Sequence, residues 1–202
     1  MPALQRSRLR DGRCRISATK RFRLIGFGVA ALIFVVDQLV KWLVDGPLAM
    51  RLGDSIELLP FFNFTRTHNY GVSLGMFSAT SPEMRWALVA LTCAIAIAVT
   101  VWMLRERKLG DIAALSLVLG GAMGNILDRI RFGYVLDYAD LHIGEFRPFL
   151  IFNVADAAIT IGVLIILARS LFMGEKPGDT QSERSEDRAP DGHRADNPAE
   201  TH

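Results

Sequence analysis

Apolar positions along the chain gather into four long runs, at 24–44, 86–104, 112–127 and 149–168. A helix needs about 20 predominantly apolar residues to cross the roughly 30 Å hydrocarbon core of a bilayer, so each run predicts a membrane span. The third is the shortest; it is bounded by Asp111 and Asp128 and is expected to extend past one of them. The fourth is interrupted by Asn153, Asp156 and Thr160. Between the first two runs lies a long loop, 45–85, in which residues 55–67 (SIELLPFFNFTRT) are rich in β-formers and aromatics. They predict a short strand pair at the membrane interface. The fold class expected is therefore an all-α membrane protein, four transmembrane helices with a small β-rich region in the outer loops.

Composition agrees, since half of the 202 residues are apolar and the mean hydropathy is +0.26, too greasy for one ordinary soluble domain. The net charge of +2 conceals +7 in residues 1–23, −1 in 24–173 and −4 in 174–202. The chain thus divides into three segments: a basic head (1–23), a four-helix domain (24–173) and an acidic tail (174–202) expected to be disordered. With no basic stretch interleaved with aromatics, nucleic acid is not an expected partner. If the N-terminus is cytoplasmic, sixteen Lys and Arg fall on the inner side and six in the outer loops, which places both termini inside. A cleaved signal peptide is disfavoured because the first run is long and contains Asp37 and Lys41. Cys14 and Cys93 sit in contexts too different to form a disulfide framework. No CxxC, HExxH or Walker-type loop occurs, so neither a metal nor a cofactor is expected.

Ionisable groups at membrane depth cost roughly 2.5 to 3.5 kcal/mol each on insertion scales, so each one asks for a partner or a function. Asp37 and Lys41, at i and i+4 on the first span, form an ion pair or else contact a site. Asn125, Asp128 and Arg129 share one face at the outer end of the third, where orienting a site, direct chemistry and interface anchoring all remain open. Gly120, Gly121 and Gly124 suit close helix packing. On the fourth span, Asn153, Asp156 and Thr160 again share a face; counted from Phe149, Asp156 lies roughly 10 Å into the helix. It is either functional or a packing hydrogen bond. Asp137 sits in an outer loop but among Val135, Leu136 and Tyr138, an apolar setting, whereas Asp140 and Glu145 fit solvated loop acids.

Two aspartates brought together cannot easily both ionise, so they share a proton. The ionised member can deprotonate a water while the protonated member donates to a carbonyl oxygen, which is acid–base amide hydrolysis without a covalent intermediate. Serine chemistry has little support: Ser116 is the lone serine in the spans, His68 and His142 fall in loops, and no GxSxG occurs. A different class, a small transporter or ion-binding protein with a carboxylate relay, would need Asp156 but not Asp137.

Four ordered motifs now stand out: Asn69 to Gly75 (NYGVSLG), Gly120 to Arg129 (GGAMGNILDR), Gly133 to Tyr138 (GYVLDY) and Phe152 to Asp156 (FNVAD), with Asp37, Gln38 and Lys41 before them. In these the chain resembles the bacterial lipoprotein signal peptidases, or signal peptidase II, over about residues 24–172. The resemblance implies an intramembrane aspartic endopeptidase of the bacterial inner membrane, with its active site at the periplasmic face. It would remove the signal peptide of diacylglyceryl-modified prolipoproteins just before the lipid-bearing cysteine. It implies Asp137 and Asp156 as the catalytic pair and Asn69, Gly71, Asn125, Asp128, Arg129 and Asn153 as the polar shell that holds them and contacts substrate. Globomycin-type inhibitors, the lipid bilayer and prolipoproteins are the expected partners, and a monomer the expected state. The family's loop often reads Ala-Ala-Phe where this chain has Val72-Ser73-Leu74.

Overall fold

The computed structural model describes residues 3–72, 77–78, 81–144 and 146–173. The acidic tail 174–202, Glu145 and the loop residues Ser73, Leu74 and Gly75 lie outside them. Four helices are long and apolar enough to cross a membrane. The first, α1 (Ala3–Asp45), runs unbroken through the basic head, and its apolar stretch is Thr19–Asp45. Helix α2 (Pro82–Arg105) starts before the apolar run because Ser81 caps it, its hydroxyl accepting the Met84 N–H at 3.3 Å, with Pro82 in the first turn. Helix α3 (Leu109–Arg131) continues past both bounding acids. Each is compensated: Asp111 accepts from Arg169 at 2.6 Å, and Asp128 meets Lys41 at 2.7 Å.

Helix α4 (Val154–Met173) departs from expectation, starting five residues later than the apolar run. The backbone of Phe152 is taken up in a bridge to Ala139, with N–H···O distances of 2.7 and 3.1 Å. Asp156 therefore lies in the first turn, not roughly 10 Å along a helix. The spacing of Asn153 and Asp156, which suggests a shared helical face, is instead a cap: Asn153 Oδ1 accepts the Asp156 N–H at 2.9 Å.

Helix α3 is the centre of the bundle. About two thirds of its spanning window is buried (67%), against 17 to 22% for the other three, whose remaining faces are left for lipid. Its glycines permit this. A Cβ at Gly120 or Gly121 would strike the carbonyl oxygen of Ala30 in α1 or of Ala155 in α4, and one at Gly124 would strike the Asp37 carboxylate.

Above the bundle, β1 (Ser55–Leu59), β2 (Phe62–Asn69) and a strand at Val135–Leu141, β5, form an antiparallel sheet in the order β1-β2-β5. A ribbon of β3 (Gly71–Val72) and β4 (Phe77–Ser78) follows β2. The pair expected in 55–67 is present. Strand β5 is an addition to the expected fold, because its acids interrupt the apolar pattern that would announce it. Both acids are buried. Asp140, expected to be solvated, accepts from Arg147 Nε at 3.1 Å and Thr65 Oγ1 at 3.2 Å. The register sets Thr67 opposite Asp137 and Asn69 opposite Val135, delivering the end of β2 to the strand that carries Asp137. Val44, Met50, Leu136, Tyr138 and Ala139 form the core that seats the sheet on the helices.

Candidate active site

Three side chains satisfy the first N–H groups of α4, which would otherwise be orphaned in an apolar setting. The Tyr138 hydroxyl accepts from Val154 N at 3.2 Å, Asp37 Oδ1 from Ala155 N at 3.0 Å, and Asn153 Oδ1 from Asp156 N at 2.9 Å. One cap comes from β5, one from α1 and one from the residue preceding α4. The helix start is thereby fixed from three directions, and with it the position of Asp156.

Asp137, opposite it on β5, is 1% exposed and held by two amides. Asn69 Nδ2 donates to its Oδ2 at 3.1 Å and Asn153 Nδ2 to its Oδ1 at 2.6 Å. Asn125 Nδ2 donates to Asp156 Oδ1 at 2.7 Å, and Asn125 Oδ1 receives Asn153 Nδ2 at 3.3 Å. The two carboxylates are thus joined through a pair of asparagines, and both line one cleft of about 950 Å³. Its walls are otherwise mostly apolar, from Phe149 to Phe152 on one side and Ile159 and Ile161 of α4 on the other. This volume is at the upper end of ordinary ligand pockets.

Arg129 faces the same neighbourhood, where the charges of Asp156, Asp137 and Asp128 act on it, and it donates to the carbonyls of Asn125 at 3.3 Å and Gly71 at 3.5 Å. Of the eight residues singled out in the sequence, Asn69, Gly71, Asp137 and Asp156 line the cleft, Asn125, Asn153 and Arg129 stand behind them, and Asp128 bonds to α1 and β5 instead. It accepts from Lys41, from Gln38 at 3.0 Å and from the Leu136 N–H at 3.2 Å, so it pins the strand one residue before Asp137. Three contributors escape sequence reasoning: the Gln38 contact, the Tyr138 cap, and Arg85, which donates to the Arg129 and Ile130 carbonyls at 2.9 and 2.7 Å and closes the end of α3. Long-range partners of this kind leave no trace in spacing. Just beyond α3, Gly133 turns the chain into β5 at φ 84, a conformation that side chains disfavour. His68 stacks on Tyr134 with ring centroids 3.7 Å apart at the cleft edge, and burial together with the charge of Arg66 lowers its pKa, keeping it neutral.

Burial pushes the Asp137 carboxyl up to about 7, with the Asp156 charge adding to it and the Asn69 and Asn153 hydrogen bonds and Lys41 opposing. Near neutral pH a substantial share of the molecules therefore keep one proton on the pair, as acid–base hydrolysis requires. The raised value has a cost. The folded protein binds this proton more tightly than the unfolded chain, so stability from Asp137 is present at acid pH and lost as pH rises from about 4 to about 7. Asp137→Asn mimics the protonated form in shape. In thermal unfolding across that range it is expected to lack the loss, on the order of 3 kcal/mol, and to surpass the wild type at pH 8. An unchanged pH slope would mean that Asp137 ionises freely.

Residues 29–172 match the family model for signal peptidase (SPase) II. The chain is 53% identical over 171 residues to a lipoprotein signal peptidase of Sphingopyxis alaskensis, covering 85% of this chain and 99% of that one. It is 54% identical over 153 residues to one of Rhizorhabdus wittichii, covering 76% and 89%. Among solved structures it is similar to a bacterial membrane enzyme determined by the in meso method, with TM-score 0.65, 30% identity, and 76% of this chain and 93% of that chain covered.

Proposed function

The chain belongs to the signal peptidase II family, and on that premise we propose that Asp137 and Asp156 are its catalytic pair, with Asn69, Gly71, Asn125, Asp128, Arg129 and Asn153 holding the pair and the substrate backbone. It is a multi-pass inner-membrane protease that removes signal peptides from prolipoproteins. The observation that carries the residue assignment is Asn153, one buried side chain that donates to Asp137 and accepts from the backbone of Asp156. The carboxylate relay is not favoured, because Asp137 lines the cleft together with Asp156.

A diacylglyceryl-modified prolipoprotein is held in the bilayer by its acyl chains, at roughly 0.8 kcal/mol per buried methylene, so its scissile bond arrives at the membrane face. The apolar walls of the cleft accept the extended segment before the lipidated cysteine, and the bond comes to rest between the carboxyls. The ionised carboxylate takes a proton from water as the water oxygen adds to the carbonyl carbon, while the protonated carboxyl gives its proton to the carbonyl oxygen. Collapse of the tetrahedral diol breaks the C–N bond. The carboxyl that took the water's proton delivers it to the leaving amine, and the other recovers its own from the diol hydroxyl, restoring the pair. Arg129 and the asparagine amides stabilise charge that develops on the way.

Basic residues at 105–108 and in the head support an orientation with both termini cytoplasmic and the sheet and cleft periplasmic. Residues 24–173 form the peptidase, acting as a monomer, and globomycin-type inhibitors compete for the cleft. The test is single-turnover cleavage of lipidated prolipoprotein in nanodiscs with added hydroxylamine. Direct attack by water yields only the free carboxylate on the released signal peptide. A hydroxamate product would reveal an acyl-enzyme and end this mechanism.

A further inference from the structure

Lys41 lies on α1 and is not among the residues that line the cleft, yet its side chain is only 4% exposed and all three of its ammonium protons are placed. They go to Asp37 Oδ2 at 2.8 Å, Asp128 Oδ2 at 2.7 Å and Asn125 Oδ1 at 3.4 Å. The third contact is the informative one. An asparagine amide has two faces of opposite character, and reversing it exchanges donor for acceptor. With Lys41 and Asn153 Nδ2 both donating to Asn125 Oδ1, its Nδ2 is directed at Asp156. A reversed amide would set NH2 against an ammonium and a carbonyl oxygen against a carboxylate. Each of these is a buried mismatch.

We infer that Lys41 is a positioning residue for the hydrolysis, orienting the Asn125 amide so that it donates to Asp156, beyond merely neutralising Asp37 and Asp128. This rests on the assignment of Asp137 and Asp156 proposed above. The Lys41 charge also acts directly on Asp137, opposing the effect of burial there. Other charged groups facing this region are Asp45 from α1, Arg129 and Arg131 from α3, Arg66 and His68 from β2, and the Tyr138 phenol from β5. None of these contacts the Asn125 side chain among the hydrogen bonds of the described residues. Lys41 is thus the one cation, among the described residues, that helps Asn153 set the orientation of the Asn125 amide.

The experiment compares Lys41→Met with the double variant Lys41→Met/Asp128→Asn, which keeps the cluster's net charge at its wild-type value and leaves an acceptor for the Leu136 N–H. Thermal unfolding reports the fold, and cleavage of lipidated prolipoprotein against pH reports the site. Losing the Lys41 donor frees the Asn125 amide, and without a fixed amide donor on its ionised Asp156 member the pair is harder to ionise; the double variant reads this separately from any change in charge. In whichever variant is folded, the acid limb of kcat/KM is therefore expected to move up by about one pH unit, with kcat down about tenfold or more and KM within about threefold. An acid limb at its wild-type position overturns the inference, as does failure of both variants to fold, which would make the role of Lys41 purely structural. Asp137→Asn and Asp156→Asn are run in the same assay. If they retain cleavage, the catalytic assignment itself has failed; if they are inactive while the limb stays put, only the role of Lys41 has.

Discussion

Asp156→Asn is expected to lower kcat/KM for lipidated prolipoprotein by about three to four orders of magnitude while leaving the bundle folded. Asparagine keeps the size of the side chain and an acceptor for the Asn125 amide, which lies 2.7 Å from Asp156 Oδ1. It removes the titratable group. The single remaining carboxyl, Asp137, cannot act as base toward water and as acid toward the carbonyl oxygen at once, so the loss falls on kcat more than on KM. Asp137→Asn is expected to be equally inactive for the complementary reason. An amide cannot hand a proton to the carbonyl oxygen and recover it. The stability profiles of the two variants should nevertheless differ, since the burial that raises Asp137 gives its replacement an advantage above pH 7. The measurement is steady-state cleavage in nanodiscs alongside thermal unfolding. Near-normal turnover by either variant would dismantle the proposed pair.

Asn153→Leu should produce the second-largest effect, and through a different route. The residue is fully buried, and its amide donates to the Asp137 carboxylate while it caps the start of α4 at the Asp156 N–H. A leucine, branched at the same carbon but bulkier, leaves the Asp156 N–H uncapped and deprives Asp137 of its 2.6 Å donor. Losing a helix cap costs about 1 kcal/mol and each unsatisfied buried polar group about 1 to 3 kcal/mol, so a destabilisation of about 3 kcal/mol is expected. Turnover should fall about a hundredfold even in the folded fraction, because the two carboxyls lose the bridge that sets their relative orientation. Asn153→Asp, which restores the acceptor but not the donor, should recover the cap without the activity. If the leucine variant lost stability alone, with kcat per folded molecule intact, Asn153 would be a cap and nothing more.

The four spans are legible in the sequence because lipid tolerates few charges, and the exceptions therefore stand out. Asp37, Lys41, Asp128 and Asp156 are conspicuous for their insertion cost alone. Pairing is what stays hidden. Asp37 and Lys41 read as a local i, i+4 pair, and they are one, at 2.8 Å. Their other partners lie 80 or more positions away, on α3 and at the start of α4. Asp140 looks solvated in the sequence for the same reason, since its burial depends on Arg147 and on a strand neighbour in β2 that composition cannot supply.

Helix number, the β-forming character of 55–67 and the candidate acids are thus properties of the chain itself, set by apolar run length, residue shape and the cost of charge in hydrocarbon. The start of α4 is not. The apolar run continues smoothly from Phe149, and the helix is delayed to Val154 only because β5 claims the Phe152 backbone while Tyr138, Asp37 and Asn153 cap the first turn. Tertiary structure alone moves Asp156 from mid-helix to the first turn, beside a strand acid, because hydrogen bonds between distant segments outweigh the weak local preference for one more turn of helix.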